Sequence, residues 1–326
     1  MKSQLEQLKQ FSSISCDTAD FSLIKKYEST DATTNPSLIF QAIQNPQYQR
    51  LLESAIYSGL KENLNEESTI AYILDQLTVN FGVEILKVIS GRVSTEIDAR
   101  FSFNVSAMIQ RARNVISLYE KAGIKKERVL IKIASTWEGI QAAQVLEKEG
   151  IHCNLTLLFS LVQAIAAANA KVTLISPFVG RILDWWKIHG NKKEFSIEED
   201  PGIASVKQIY SYYKKINCQT QIMAASFRSL DQVLALSGCD FLTISPKLLD
   251  QLQTSNSLVN KVLDPNIDKD LDVKDTTINE SVFRYLLNDN PMATEKLSEG
   301  IRLFSRDTIQ LENLIISVIN KMGESV

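Results

Sequence analysis

Short apolar or β-branched segments alternate with stretches of helical period along this chain, and this alternation constrains its fold more than any other feature. Strands separated by helices form parallel sheets, because a chain returns to the same edge of a sheet through a helical crossover. Eight segments are predicted to be strands: residues 14–17, 32–35, 92–97, 129–133, 153–157, 172–177, 221–227 and 241–245. The sequence therefore predicts a parallel sheet of eight strands.

Eight strands with intervening helices favour a closed (β/α)8 barrel, the TIM barrel, although an open doubly wound sheet accommodates the same elements. In a barrel, one side chain in two faces the helical shell, and the others face the axis, where polar groups are tolerated near the C-terminal mouth. In residues 129–133 the outward set is Val129, Ile131 and Ile133. This assignment places Leu130 and Lys132 inside the barrel.

The same alternation recurs in other predicted strands. Polar side chains fall on the inward set of the third, fifth and seventh strands: Ser94, Glu96, Asp98, His152, Asn154, Thr156 and Ser226. The opposite face of the fifth strand is apolar, with Cys153, Leu155 and Leu157. For one strand alone a solvated sheet face explains the pattern equally well, but agreement among several strands favours a polar barrel mouth.

The intervening segments carry helix signals. Two capping boxes predict helix starts: Ser135 with Glu138, and Ser229 with Gln232. The first helix is expected to stop at Gly150 and the second near Gly238. Longer helical segments are residues 36–63, 68–89 and 277–322. We therefore expect residues 1–326 to form a single barrel domain with additional N-terminal, inserted and C-terminal helices.

Composition excludes several classes of protein. Lys and Arg total 35 against 38 Asp and Glu, so the chain lacks the basic excess of a dedicated nucleic-acid binder. Four scattered cysteines favour a reducing compartment, and no signal peptide or membrane span is predicted. The two histidines, His152 and His189, belong to no set of ligands with zinc spacing. We expect a cytoplasmic protein without a metal.

Three inward or strand-end residues suggest carbonyl chemistry. Burial disfavours the ammonium form of lysine, so Lys132 is a candidate nucleophile for a Schiff base, although a strand-end lysine also reaches solvent easily. Glu96 can relay protons to such a lysine, or simply pair with it. Asp17 can act as a separate base, or it can start a turn or cap a helix.

Seven segments resemble those of transaldolases, in particular the longer enzymes of the pentose phosphate pathway. They are TDATTNPS at 30–37, GRVSTEID at 91–98, IKIASTW at 131–137, CNLTLLFS at 153–160, ISPFVGR at 175–181, AASFR at 224–228 and GCD at 238–240. They span nearly the whole chain in the expected order. The resemblance implies a Schiff-base transferase that acts on sugar phosphates as a homodimer, without metal or cofactor, and binds neither nucleic acid nor membrane.

The resemblance also implies a role for each matching position. Lys132 corresponds to the Schiff-base lysine, Asp17 to the base that cleaves the C3–C4 bond, and Glu96 with Thr156 to the pair that holds a proton-relaying water. Residues expected to bind the dihydroxyacetone hydroxyls are Asn35, Asn154 and Ser176. The phosphate is expected at Arg181, Ser226 and Arg228, near where barrels often bind phosphate, and Phe178 is expected to shield the site.

Three other functions remain open at this point. A fructose 6-phosphate aldolase shares the lysine, the acid and the phosphate site, and differs in how well water is kept from the intermediate. A non-catalytic sugar-phosphate binding protein needs the arginines but not Lys132, Glu96 and Asp17 together. A purely structural barrel has no use for so many inward polar groups, whose unpaired burial is costly.

Overall fold

The computed structural model describes residues 2–265 and 277–323; of the expected domain, residues 1, 266–276 and 324–326 lie outside this part. Eight parallel strands form a closed barrel in chain order, and the last strand pairs with the first. The strands are β1 Ser13–Asp17, β2 Asp31–Thr33, β3 Val93–Glu96, β4 Val129–Ala134, β5 Cys153–Leu158, β6 Leu174–Pro177, β7 Gln221–Ala224 and β8 Phe241–Ile244. The barrel prediction is confirmed, because the β1–β8 pairing is incompatible with an open sheet.

Helices surround the barrel and cover its mouth. In the described residues the α-helices are α1 Gln4–Leu8, α2 Phe21–Lys26, α3 Pro36–Ile43, α4 Gln49–Lys61, α5 Glu66–Leu86, α6 Val105–Lys121, α7 Trp137–Lys148, α8 Leu161–Asn169, α9 Gly180–His189, α10 Pro201–Lys215, α11 Leu230–Leu234, α12 Pro246–Thr254, α13 Glu280–Asn288 and α14 Pro291–Gly323. Two predicted long helices are interrupted, one at Pro46 and one at Pro291. Proline lacks the N–H of a helix interior and suits a helix start. Pro46 begins a short 3₁₀ segment, Pro46–Tyr48, that precedes α4, and Pro291 begins α14.

The first predicted capping box is wrong. The N-cap of α7 is Thr136, whose Oγ1 accepts a hydrogen bond of 2.8 Å from the Gly139 N–H. Ser135 instead donates to the carbonyl oxygen of Thr156 at 2.7 Å, because β4 still runs beside β5 at this point. The predicted stop is confirmed: α7 ends at Lys148, and Gly150 has a φ of 72°.

The second predicted cap is confirmed in part. Ser229 accepts a hydrogen bond of 3.2 Å from the Gln232 N–H and caps α11. The Gln232 side chain accepts from the Arg228 N–H at 2.8 Å, rather than from the cap itself. The short helix α11 ends at Leu234, before the predicted Gly238.

The alternation predicted for β4 is confirmed. Val129, Ile131 and Ile133 are buried in the main core between the sheet and the helices. Inside the barrel, a separate buried cluster fills the axis below the mouth: Leu130, Leu174, Met223 and Phe241. Lys132 therefore lies above an apolar plug and faces the axis.

The alternation predicted for the fifth strand is wrong at both ends. The pairing of β5 with β6 shifts register between Leu155 and Leu158, and Leu157 has a φ of 54°. A bulge of this kind turns the next side chain to the other face, so Leu157 packs with the aromatic residues at the mouth rather than with the outer core. His152 precedes the strand, where its Nδ1 lies 3.0 Å from Glu147 Oε2, so it does not face the axis.

Candidate active site

A cavity of about 370 Å³ opens at the C-terminal ends of the strands. This is the end at which (β/α)8 barrels carry their functional residues, and the volume suits a small ligand. Nine of the eleven predicted site residues line it: Asp17, Asn35, Lys132, Thr156, Ser176, Phe178, Arg181, Ser226 and Arg228. The other two, Glu96 and Asn154, lie behind the wall and contact residues that form it.

Lys132 and Glu96 form a buried ion pair at the bottom of the cavity. Their Cα atoms are register partners on β4 and β3, and Lys132 Nζ lies 2.9 Å from Glu96 Oε2. The amine also donates to the carbonyl oxygen of Thr34 at 3.2 Å. The side chains are only 7% and 4% exposed. Burial raises the pKa of Glu96, and the positive charge of Lys132 opposes that rise.

Asp17 ends β1 on the opposite side of the cavity floor. Its Oδ1 accepts a hydrogen bond of 3.1 Å from Thr33 Oγ1, and the Thr33 hydroxyl lies 2.8 Å from that of Thr243. Burial raises the pKa of Asp17, while Lys132, the Thr33 hydrogen bond and Arg181 act in the opposite direction. Asp17 is thus a buried carboxylate in the cavity with a pKa above the ordinary range.

A chain of hydrogen bonds crosses the barrel behind the cavity wall. Ser176 donates to Asn154 Oδ1 at 2.7 Å, and Asn154 Nδ2 donates to Ser94 Oγ at 3.0 Å. Both ends of the Asn154 amide are therefore engaged, and Ser176 is held at the wall. The Thr156 hydroxyl is fully buried, and no hydrogen-bond partner for it is found among the described residues.

Asn35 belongs both to a helix end and to the cavity. Its Oδ1 accepts a hydrogen bond of 2.9 Å from the Leu38 N–H and caps α3. The cap fixes the orientation of the amide, which leaves Nδ2 as the end available for a ligand. Pro36 at the first position of α3 fixes the backbone direction at the same point.

Two arginines and a serine form the cationic side of the cavity. The Arg181 guanidinium has no carboxylate within ion-pair distance in the part of the chain that the structure describes, and burial lowers its pKa. Arg228 donates twice to Asp184 Oδ2, at 3.0 and 2.8 Å, and reaches Ser226 Oγ at 3.4 Å. Ser226 has a φ of 63°, a conformation that non-glycine residues seldom adopt and that often marks functional sites. The arrangement suits a bound anion.

Close backbone contact brings these three residues together. The Gly180 N–H donates to the Ser226 carbonyl oxygen at 2.8 Å, at the start of α9. A Cβ at this glycine would lie 2.4 Å from that oxygen and 2.6 Å from Arg228 Cγ. Glycine is therefore the residue that allows α9 to carry Arg181 next to the loop after β7.

The sequence analysis missed several residues that line the cavity, including Thr33 and Phe304. Thr33 lies in β2 on the inward side, so the alternation used for the other strands is a signal that could have found it. Phe304 comes from the middle of α14 and lines the cavity. Its helical period marks it as buried, but nothing local indicates which part of the molecule it is buried against.

Neither a metal site nor a membrane span is evident in residues 2–265 and 277–323. No three His, Cys, Asp or Glu residues in this part lie together in a way that would hold a metal ion. None of its helices combines the length and the apolar character needed to cross a membrane.

Comparison with known proteins agrees with this geometry. Residues 14–315 match the model of the Transaldolase/Fructose-6-phosphate aldolase family. The chain is 56% identical over 323 residues to the transaldolase of Chlamydia felis, covering 99% of both chains. It is 54% identical to the transaldolase of Cellvibrio japonicus and to the probable transaldolase of Dictyostelium discoideum, covering 97% of this chain and 99% of each relative. The chain therefore belongs to the transaldolase/fructose-6-phosphate aldolase family.

Proposed function

We propose that the protein is a transaldolase, which transfers a dihydroxyacetone unit from sedoheptulose 7-phosphate to glyceraldehyde 3-phosphate and yields erythrose 4-phosphate and fructose 6-phosphate. The observation that carries the proposal is the buried Lys132–Glu96 pair at the floor of a cavity that Arg181 also lines, an arginine with no carboxylate within ion-pair distance among the described residues. Formation of a Schiff base with a phosphorylated ketose requires a nucleophilic amine for the carbonyl carbon and a cationic site for the phosphate. The full-length similarity to transaldolases supports the same conclusion.

The first step uses the Lys132–Glu96 pair. Transfer of the ammonium proton to Glu96 leaves a neutral amine and a neutral acid, which a buried site accommodates better than two charges. The amine attacks C2 of the ketose, and loss of the C2 oxygen as water gives a cationic imine. We assign the relay of these protons to a water held by Glu96 and Thr156, because the buried Thr156 hydroxyl is otherwise without a partner among the described residues.

Asp17 then cleaves the carbon–carbon bond. Its carboxylate takes the proton of the C4 hydroxyl, the C3–C4 bond breaks, and the electron pair moves into the imine, so the aldose phosphate leaves. The three-carbon unit stays on Lys132 as an enamine. Asn35, Asn154 and Ser176 hold its hydroxyls, and the reverse sequence with the acceptor aldehyde forms the product.

Arg181, Ser226 and Arg228 bind the phosphate of donor and acceptor in turn. A guanidinium presents two parallel donors to a phosphate, so it orients the sugar as well as attracting it. Phe178 packs edge-on against Phe159 with centroids 5.4 Å apart, and it lies 5.0 Å from the Arg181 guanidinium. It shields this side of the site from water.

The proposal is tested by incubating the purified protein with fructose 6-phosphate, with and without erythrose 4-phosphate. Sedoheptulose 7-phosphate that forms only with the acceptor, together with little free dihydroxyacetone, is the expected result. Dihydroxyacetone released without acceptor would make the protein an aldolase. Neither product would indicate a non-catalytic sugar-phosphate binding protein.

We also infer that residues 1–326 act as one domain, that the protein works in the cytoplasm, and that two copies form a homodimer. The four cysteines are free, which agrees with a reducing compartment. The dimer rests on the family resemblance, and the pathway is that of pentose phosphates. Sedimentation at micromolar concentration tests the homodimer, and a monomer would contradict it. Fractionation of cells tests the location, and finding the protein in an oxidising compartment would contradict a cytoplasmic one.

A further inference from the structure

Helix α14 carries one aromatic side chain into the active-site cavity. Phe304 is 3% exposed, and its ring centroid lies 5.8 Å from Lys132 Nζ and 5.7 Å from the Arg181 guanidinium carbon. The ring is therefore near the nucleophile and near the phosphate site at once. The Phe178 ring also lies near this guanidinium, with its centroid 5.0 Å from the same carbon, so Arg181 has two aromatic rings as neighbours.

Contacts along both halves of α14 hold Phe304 in this place. Before it, Glu295 accepts a hydrogen bond of 2.6 Å from the Trp185 indole, and Gly300 lies against Leu157. After it, Asp307 accepts from the Ser37 hydroxyl, and Glu312 accepts from Arg100 at 2.5 and 3.0 Å. These partners follow different strands around the barrel mouth, so their contacts hold α14 across the mouth.

A transferase of this type must keep water from its intermediate. Release of free dihydroxyacetone needs three events: C3 of the enamine takes up a proton, water adds to C2 of the resulting iminium ion, and the bond between C2 and Lys132 Nζ breaks, which returns the amine. Water supplies the oxygen of the new carbonyl group. An apolar wall beside the enamine hinders the first event, because it keeps bulk water from delivering a proton to C3, and it leaves the aldehyde acceptor free to react. The water held by Glu96 and Thr156 still hydrolyses the imine of the transfer product, a step that both outcomes share.

We propose that Phe304 is this wall, and that it decides whether the three-carbon unit is transferred to an acceptor or released to water. The inference rests on the proposed transaldolase function and adds a specificity-determining residue to it. The ring has the position the role requires, because it lines the same cavity as the polar groups proposed to bind substrate and its centroid lies 5.8 Å from Nζ.

The test measures a ratio rather than a rate. Wild type and Phe304→Ala are given fructose 6-phosphate with saturating erythrose 4-phosphate, and free dihydroxyacetone is counted against sedoheptulose 7-phosphate. We expect the ratio to rise about tenfold or more in Phe304→Ala, since a change of ~1.4 kcal/mol in the competition between the two steps gives that factor. Phe304→Leu keeps apolar bulk beside Nζ and is expected to raise the ratio less.

Ile301→Ala is the matched control. Ile301 is similarly buried in the same cluster on α14 but does not line the cavity, so its truncation tests the effect of loosening the helix alone. An unchanged ratio in Phe304→Ala, or an equal rise in Ile301→Ala, would overturn the inference. If circular dichroism shows that Phe304→Ala does not fold, Phe304→Leu is compared with Phe304→Val instead. Equal ratios of free dihydroxyacetone to sedoheptulose 7-phosphate in those two variants would contradict the inference. Absence of transfer in the wild type would instead refute the transaldolase function itself.

Discussion

Lys132 and Glu96 face each other across neighbouring strands in direct register, with 2.9 Å between Nζ and Oε2. The backbone of β3 and β4 fixes this distance, because register partners on parallel strands of a barrel point to the same side. Neither side chain has to search for its partner when substrate binds. Under the proposed mechanism, the proton that leaves the Lys132 amine thus has an acceptor already in place.

Lys132→Ala is expected to abolish the covalent adduct. Without the amine no imine forms, so borohydride in the presence of fructose 6-phosphate adds no mass to the protein. The measurement is intact-protein mass spectrometry, with wild type as the positive control and circular dichroism as the check of folding. Continued trapping in the variant would move the nucleophile to another lysine.

Glu96→Gln is expected to lower kcat by about 10²- to 10⁴-fold, the usual contribution of a positioned acid–base group. The amide has the same shape but cannot take the proton of Lys132. Glu149→Gln, which disturbs a surface ion pair with Arg113, serves as the control. If Glu96→Gln kept the kcat of the wild type, the ion pair between Lys132 and Glu96 would have a structural role only.

Thr33→Val is expected to shift the acidic limb of the pH–rate profile to higher pH. Asp17 must be ionised to act as base, so the rate falls as pH drops through its pKa. The Thr33 hydrogen bond favours the ionised form and lowers this pKa, and its loss raises it. Thr95→Val is the matched control, since this buried threonine bonds to Tyr119 on the outer side of β3. A shift to lower pH would contradict the assignment of Asp17.

Arg228→Ala is expected to raise KM for fructose 6-phosphate by about 10- to 100-fold, because a hydrogen bond to a charged group contributes ~1.5–3 kcal/mol. KM for an unphosphorylated ketose should change little. Arg284→Ala is the control, because this arginine is comparably exposed and also pairs with carboxylates. Equal effects on both substrates would remove Arg228 from the phosphate site.

Gly180→Ala is expected to destabilise the protein more than Gly300→Ala does, by ~1–3 kcal/mol in the free energy of unfolding. At Gly180 the new methyl group meets a backbone oxygen at 2.4 Å, whereas at Gly300 it meets the end of the Leu157 side chain. Urea unfolding followed by circular dichroism measures the difference. Equal stability of the two variants would show that the loop after β7 moves freely.

The alternation of apolar and polar residues within single strands predicted the closed barrel and the inward position of Lys132. The inward position of Lys132 follows from the alternation within one strand, and that alternation survives folding because both faces of β4 are buried. Leu157 breaks the same rule, since a bulge is a property of two paired strands and leaves no mark on the period of one. Similarly, Ser135 and Thr136 are equally good caps in sequence, and only the neighbouring carbonyl of Thr156 decides between them.

Phe304 could not be predicted for a different reason. More than a hundred residues separate it from Lys132 and from Arg181, and the hydrophobic period of α14 indicates a buried face without indicating what covers it. The contacts that place it depend on Trp185, Arg100 and Ser37, each from a different connection after a strand.

The position of α14 in the chain also sets the order in which the site comes into being during synthesis. The nucleophile, its proton acceptor and both arginines leave the ribosome before the helix that covers them. Until α14 docks, a folded nascent barrel would hold a reactive amine open to any aldehyde or ketone in the cell. Docking of α14 would therefore end this exposure of the amine.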